Sequence, residues 1–311
     1  MRLGLDTGYG HTKYAYFDET GEIKLGKFPS VVAATKDNVS DLSRGVYCEN
    51  DEAYYVGDLA LKQPFTAIKE IVSYRDLEKY APILLKEALQ IEGIDGKVTQ
   101  VACGLSPAHM SHIAAFKERL SSFELNGKKE QFEVVLYPQG VGAVKTINYL
   151  TNQGKLASMQ GVQDYLIVDI GFNTTDIIFI YDGVVQKGKI SSNHSFEKKG
   201  AINIAEFMQK YIKETFKREI TLKEALGIIT KGSYRLRGET FELFQEIETF
   251  KKRYTVELMN FLEERYGNEF DKLEKVCFVG GGGYFIDPDY AQNIETFKIS
   301  EYYNAIGNLV G

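Results

Sequence analysis

The sequence predicts an α/β protein built from two similar halves, and three observations carry that expectation. Strand-like and helix-like segments alternate along the chain. A strand, loop and strand pattern that opens the chain is written a second time about half a chain later. The length of 311 residues suits two domains of ordinary size.

The first copy begins with Arg2-Leu3-Gly4-Leu5-Asp6, a short apolar strand, and passes through glycines into Lys13-Tyr14-Ala15-Tyr16-Phe17-Asp18, which is rich in β-forming aromatics. A turn at Glu19-Thr20-Gly21 returns the chain into Glu22-Ile23-Lys24-Leu25, so three antiparallel strands are expected. The second copy runs Tyr165-Leu166-Ile167-Val168-Asp169, then Gly171, then Thr175 to Tyr181, an Asp182-Gly183 turn and Val184-Val185. Between the copies the spacing predicts a helix over 75–92, with Leu77, Tyr80, Ala81, Leu84, Leu85 and Ala88 on its inner face, and another over 110–120 after Ser106-Pro107. Residues 98–103 and 132–136 read as further strands. Residues 245–266 form a long amphipathic helix with Phe250, Tyr254, Leu258, Phe261 and Leu262 inward and its charges on a solvated face. No Pro-rich or Ser-rich linker separates the halves, which implies a tight hinge.

Composition narrows the function. A hydrophobic share of 44% with 26% charged residues is that of an ordinary globular protein. The net charge of −6 leaves no basic field for nucleic acid, so contact with DNA is expected only through a partner. Three scattered cysteines, Cys48, Cys103 and Cys277, suit a reducing compartment and apolar packing. Asp6 interrupts the amino terminus too soon for a signal-peptide core, and no stretch is apolar enough to span a bilayer, so the expected location is cytoplasmic with no membrane partner.

The loops between the paired strands are the candidate sites. In Asp6-Thr7-Gly8-Tyr9-Gly10-His11-Thr12-Lys13, alternate glycines let backbone N–H groups approach a polyphosphate, and the lysine adds a compact charge. Magnesium is usually tethered by one or two carboxylates, which makes Asp6 and Asp169 the candidate metal residues. Either loop alone reads as easily as a plain turn. The paired occurrence favours a ligand, as does a third cluster in which Val276-Cys277-Phe278-Val279 runs into Gly280, Gly281, Gly282 and Gly283 before Tyr284. Four consecutive glycines carry an entropic cost that a simple turn does not require, so a base or ribose is expected against that backbone. A Walker A loop is absent, as is a G-x-G-x-x-G that follows a strand and opens a helix.

The first loop, the second loop Asp169-Ile170-Gly171-Phe172-Asn173-Thr174-Thr175-Asp176 and 279–283 resemble, in order and spacing, the phosphate-1, phosphate-2 and adenosine motifs of the actin, Hsp70 and sugar-kinase superfamily. The chain is most similar to the ParM/StbA group of actin-like proteins, with archaeal actin-like relatives close by. The resemblance implies an actin-like (ribonuclease H-like) duplicated fold with a nucleotide cleft between two domains. Domain I would cover 1–158, with a smaller subdomain at 25–75 and 300–311 packing back onto it. Domain II would cover 159–299, with a smaller subdomain at 200–270.

By the same resemblance Asp6, Gly8, Tyr9, Gly10, His11 and Lys13 form the first phosphate loop, and Asp169, Gly171, Asn173, Thr174 and Thr175 the second. Gly280 to Gly283 face the adenosine, and Gly200, with Glu206 or Lys210, lines the base pocket. Tyr137-Pro138-Gln139-Gly140 resembles the first interdomain connection, where Gln139 positions the attacking water, and Tyr303-Asn304-Ala305-Ile306-Gly307 resembles the segment near the second. Two departures, Asn173 where many relatives have glycine and Gln139 where ParM-like proteins often carry glutamate, bear on hydrolysis rate more than on binding.

The implied activity is that of an ATPase taking ATP or ADP with Mg2+, with Gln139 and Asp169 as catalytic residues. Hydrolysis would control a head-to-tail filament that segregates plasmid or other DNA through an adaptor protein. A non-polymerising nucleotide-gated scaffold and a small-molecule kinase are the alternatives. His109-Met110-Ser111-His112 has metal-compatible spacing but no third ligand nearby and reads as ordinary packing or surface. Lys198-Lys199 and Lys251-Lys252-Arg253 read as solvated helix ends.

Overall fold

In chain order the principal elements are β1 (Arg2–Thr7), β2 (His11–Phe17), β3 (Ile23–Pro29), α1 (Tyr74–Ile91), β4 (Gln100–Leu105), α2 (Ile113–Ser121), β5 (Glu133–Pro138), α3 (Val141–Asn152), β6 (Tyr165–Ile170), β7 (Thr174–Tyr181), α4 (Ile202–Phe216), α5 (Phe244–Tyr266), β8 (Lys275–Val279) and α6 (Tyr303–Val310). The computed structural model describes residues 1–35, 45–50, 52–190 and 192–311. Positions 36–44 and 51, within the subdomain expected at 25–75, lie outside the described residues. The chain divides into two units: Met1–Gln160 with Ile190–Asn193 and Tyr302–Gly311, and Gly161–Lys189 with His194–Glu301. Each unit is α/β, with helices packed on a mixed sheet.

In the first unit β1, β2 and β3 form the expected antiparallel meander, with Leu3 opposite Tyr16 and Lys13 opposite Lys27. Strand β4 runs parallel to β1 and β5 parallel to β4, giving the order β5-β4-β1-β2-β3. Parallel strands need helical cover, and β4 is correspondingly buried along nearly its whole length. Helix α1 supplies part of that cover. Its start is set by the Ser73 side chain, which accepts the Asp76 N–H, and the six predicted inward residues are all buried. Just past its end the Glu92 carboxylate accepts the hydroxyls of Tyr14 and Tyr16 at 2.7 and 2.8 Å, tying the helix to β2.

A second, antiparallel sheet is ordered Val46–Glu49, Glu52–Val56, Val31–Thr35, Ile68–Glu70. It is joined by the hairpin Ser122–Leu125 and Lys128–Gln131. At the hairpin tip Asn126 (φ 54°) accepts the Cys48 N–H at 2.6 Å and donates its own N–H to the Cys48 carbonyl at 2.9 Å. Cys48 is therefore held by its backbone and only half-buried, against the expectation of burial, whereas Cys103 and Cys277 are buried. Burial pushes the Cys103 thiol up to about 12, so it stays protonated and packs as an apolar group.

The helix expected over 110–120 differs at its start. Ser106 accepts the Ala108 N–H, Pro107 opens a 3-10 turn over Pro107–His112, and the α-helix begins only at Ile113. Proline at the first position accommodates that tighter start because it has no N–H to place.

Helix α6 returns the chain to the first unit and lies on β1, β2 and α3, burying Ala305, Ile306 and Leu309 beside Ala15. Its seat depends on glycine. A Cβ at Gly307 would stand 1.7 Å from the Gly142 carbonyl oxygen, and one at Gly4 would stand 2.0 Å from the Ala305 carbonyl oxygen.

The second unit repeats the plan: β6 pairs antiparallel with β7 and parallel with β8. Ile294–Thr296 extends the sheet beyond β8, and Val184–Val185 extends it beyond β7. Helix α5 buries Tyr254, Leu258 and Leu262, and Phe250 and Phe261 pack half-buried against the same core. The Phe261 ring meets Phe196 edge-on at 4.9 Å. The charges of α5 face water as expected, with Lys251 and Arg253 paired to Glu248 and Glu257.

Replacing Gly307 by alanine forces a methyl group into the Gly142 carbonyl. Gly307→Ala is expected to cost about 3 kcal/mol, read as a lowered urea midpoint. Gly188→Ala, where an added Cβ meets nothing within 4 Å, is expected to stay within about 0.5 kcal/mol of the parent protein.

Candidate functional site

Each unit contains the same hairpin. In the first, Asp6 near the end of β1 faces Lys13 on β2, and Thr7 faces Thr12. In the second, Asp169 faces Asp176 and Ile170 faces Thr175, so the register and spacing are identical. Both turns close with the same hydrogen bond: the Gly8 N–H donates to the His11 carbonyl at 3.2 Å, and the Gly171 N–H donates to the Thr174 carbonyl at 2.8 Å. Residues directly opposite in an antiparallel pair project to the same face, so each hairpin presents an aspartate and its partner side by side.

The partners differ in charge. Asp6, 2% exposed, accepts from Lys13 Nζ at 3.2 Å through Oδ2 and from Gln139 Nε2 at 2.9 Å through Oδ1. A buried carboxylate requires such partners, because desolvation otherwise makes its charge prohibitive. Gln139 stands between β5 and α3 with its backbone N–H on the Leu105 carbonyl at 2.8 Å. The acceptor-only carboxylate takes the amide NH2 of Gln139, which leaves Oε1 as the acceptor for any further contact. Tyr9 turns its hydroxyl to His109 Nε2 at 2.8 Å, and His11 is exposed. His109 and His112 both lie against the Tyr74 ring, at 5.0 and 4.5 Å, so this pair packs on an aromatic.

In the second unit Asp169 and Asp176 are 6% and 2% exposed. Asp176, which closes the second loop, is a site residue that the loop's glycine pattern does not indicate. The available signal was its seven-residue offset from Asp169, the same offset that separates Lys13 from Asp6. Two buried carboxylates on one sheet face suit a hard cation that retains water and phosphate oxygens, whereas Asp6 is already engaged by a lysine. Among the described residues no group of three or more His, Cys, Asp or Glu side chains is placed to hold a metal ion.

The loop 171–173 rests on the start of α4. The Ala201 and Ile202 amides donate to the Gly171 and Phe172 carbonyls at 3.0 and 2.9 Å, and Gly200 donates to Asn173 at 3.3 Å. A Cβ at Gly200 would lie 2.6 Å from both the Gly171 and Phe172 oxygens, so close backbone approach accounts for this glycine. Thr175 is buried with its hydroxyl on the Lys199 carbonyl at 2.9 Å, and Thr174 is half-buried at the turn. Glu206 and Lys210 are exposed on α4.

The four glycines divide in the same way. Gly280 (φ 77°) would place a Cβ 2.6 Å from Asp169 Oδ1, and Gly282 would place one 2.1 Å from Ile170 Cγ2. Gly283 sits 3.2 Å from the Phe278 oxygen by the same measure, and only Gly281 faces open space. Packing against the strand end that holds Asp169 therefore explains Gly280 and Gly282, leaving Gly281 as the position open to a ligand.

Residues 4–142 match the family of actin like proteins, N-terminal domain, and residues 167–291 match the family of the archaeal actin homologue MreB-like, C-terminal. The chain belongs to the actin-like proteins. Among solved structures this actin-like chain is similar to Ta0583, an archaeal actin homologue, with TM-score 0.75 and 21% identity over 99% of this chain and 97% of that one. It is also similar to a ParM from Clostridium botulinum solved as a 15-stranded filament, with TM-score 0.71 and 19% identity over 99% and 97%. A Bacillus thuringiensis ParM solved with ATP matches with TM-score 0.66 and 18% identity over 99% and 96%. No curated protein matches the chain in sequence. Among the described residues, no helix is long and apolar enough to cross a membrane.

The Asp6–Lys13 pair can be tested apart from any ligand. Lys13→Met keeps the aliphatic stem and leaves the Asp6 carboxylate without its cation, and it is expected to lower unfolding free energy by about 2 kcal/mol in a denaturant titration at neutral pH. An unchanged midpoint would mean that Gln139 and solvent satisfy Asp6 unaided.

Proposed function

We propose that the chain is an actin-like ATPase whose two hairpins hold the phosphates of one Mg-ATP, that it assembles head-to-tail into filaments, and that hydrolysis limits filament lifetime. The observation that carries this reading is the repeated hairpin, in which the same register delivers a buried aspartate beside a glycine turn in each unit. Backbone amides at such turns suit phosphate oxygens, and Lys13 offers them a positive charge while holding Asp6 in place. Relatives of the same fold support the reading, one solved with ATP and one as a filament.

Asp6 and Asp169 are the residues that would hold magnesium, with Asp176 opposite Asp169 as a further carboxylate and Asp6 also held by Lys13. When bound, the metal supplies charge neutralisation on the phosphate oxygens. Gln139 would act through Oε1, which would accept a hydrogen bond from the attacking water and orient it towards the γ-phosphate, while Asp169 would orient that water from its other side or hold the metal shell. An amide cannot act as a strong base, so turnover is slow and rests on positioning.

Departure of the γ-phosphate removes contacts made by both hairpins and shifts the conformational balance. A head-to-tail contact is heterologous and does not close, so it grows into a polymer. With a net charge of −6 the filament would reach DNA through an adaptor protein.

Sedimentation with and without nucleotide tests the reading. ATP, but not buffer alone, is expected to drive the chain into the pellet. Asp169→Ala is expected to lower ATP hydrolysis about a hundredfold. A chain that binds ATP and stays monomeric at high concentration refutes assembly, and an Asp169→Ala protein with normal turnover refutes the role given to that carboxylate.

A further inference from the structure

The buried face of α6 carries two asparagines at 6% and 1% exposure, Asn304 and Asn308, one turn apart. Asn304 Oδ1 accepts the backbone N–H of Gly140 at 3.0 Å, and Asn308 Nδ2 donates to the Leu5 carbonyl at 2.9 Å. The two contacts fall on the residues adjoining Gln139 and Asp6. Asn308 Oδ1 has no hydrogen-bond partner among the described residues, and the Leu5 contact orients its amide.

Gly140 is held in a conformation that favours glycine (φ 84°) and heads α3, where the first N–H groups of a helix lack intrahelical acceptors. Here an asparagine from the far end of the chain satisfies that donor. The Gln139 N–H is already fixed on Leu105, and the next N–H is fixed by Asn304. With both flanking amides anchored, the backbone of Gln139 has one orientation, and its side chain is delivered to Asp6 Oδ1 at 2.9 Å. The approach is possible because residue 142 is glycine: a Cβ there would stand 2.8 Å from the Asn304 carbonyl oxygen.

We infer that Asn304 is a positioning residue for Gln139: by holding the Gly140 amide it fixes the direction from which Gln139 presents Oε1 to the attacking water. The inference rests on the ATPase reading above. It assigns α6 a part in hydrolysis through the Gly140 amide, the backbone group next to Gln139.

The test compares full-length variants in single-turnover ATP hydrolysis, in affinity for a non-hydrolysable ATP analogue, and in thermal unfolding. Asn304→Leu keeps the branching of the side chain and removes the acceptor; Asn304→Asp keeps an acceptor for the Gly140 N–H. The leucine variant is expected to hydrolyse about tenfold more slowly with analogue affinity within about threefold of the parent, and the aspartate variant to recover most of the rate. In a Gln139→Ala background, Asn304→Leu is expected to cause no further loss, since the residue it positions is gone.

Asn304→Ser, too short to reach Gly140, replaces the leucine variant if that protein does not fold. Wild-type turnover in the leucine or serine protein overturns the inference, and so does an equal fractional loss with and without Gln139. A parent chain that never turns over ATP overturns the ATPase reading itself and this inference with it.

Discussion

A carboxylate with 2% of its surface exposed must find its countercharge and hydrogen bonds inside the protein, and Asp6 finds them in Lys13 and Gln139. The β1–β2 register delivers the lysine, and the β5–α3 junction delivers the glutamine. Shifting the register by one residue would turn either side chain to the opposite face of the sheet. Burial of one charge thus constrains a hairpin, a crossover strand and the head of a helix together. The second unit sets Asp176 where the first has Lys13, so the same backbone frame holds a neutralised carboxylate in one unit and a pair of carboxylates in the other. The two hairpins thus share backbone geometry while the charge opposite the aspartate differs.

Glycine serves this protein chiefly as a condition for close backbone approach. Gly4, Gly142 and Gly307 let α6 sit directly on β1 and α3; Gly200 lets α4 meet the second turn; Gly280 and Gly282 let the end of β8 lie on Ile170 and beside Asp169. Each contact replaces a side chain with backbone, so each is intolerant of even a methyl group. The run of four glycines at 280–283 marks such a constraint. For two of the four, the approaching group is the protein's own strand rather than a ligand.

Much of the fold was legible because its signals are local. The periodicity of α1 and α5, the meander β1–β3 and the repeated strand-turn-strand pattern all rest on residues within one element or one turn. The first miss, the 3-10 start over Pro107–His112, reflects the Ser106 cap and Pro107, which tighten the first turn before the helical period takes hold. The half-exposure of Cys48 reflects a partner, Asn126, that lies 78 residues away. Asp176 was legible in principle, by overlaying the two copies residue by residue.

The sequence alone determined that two similar hairpins exist, that each places an aspartate ahead of a glycine turn, and which helix faces are apolar, because alternation and helical period are properties of neighbouring residues. It could not determine that Gln139 bonds Asp6 across 133 positions, or that Asn308 reaches Leu5 across 303. Such contacts arise when parallel strands and glycine-seated helices bring distant backbone segments within hydrogen-bond reach, and no local pattern encodes the partner of a polar group whose acceptor lies on another element. The tertiary structure therefore decided which polar residues form the site, within a frame that the chain had already written twice.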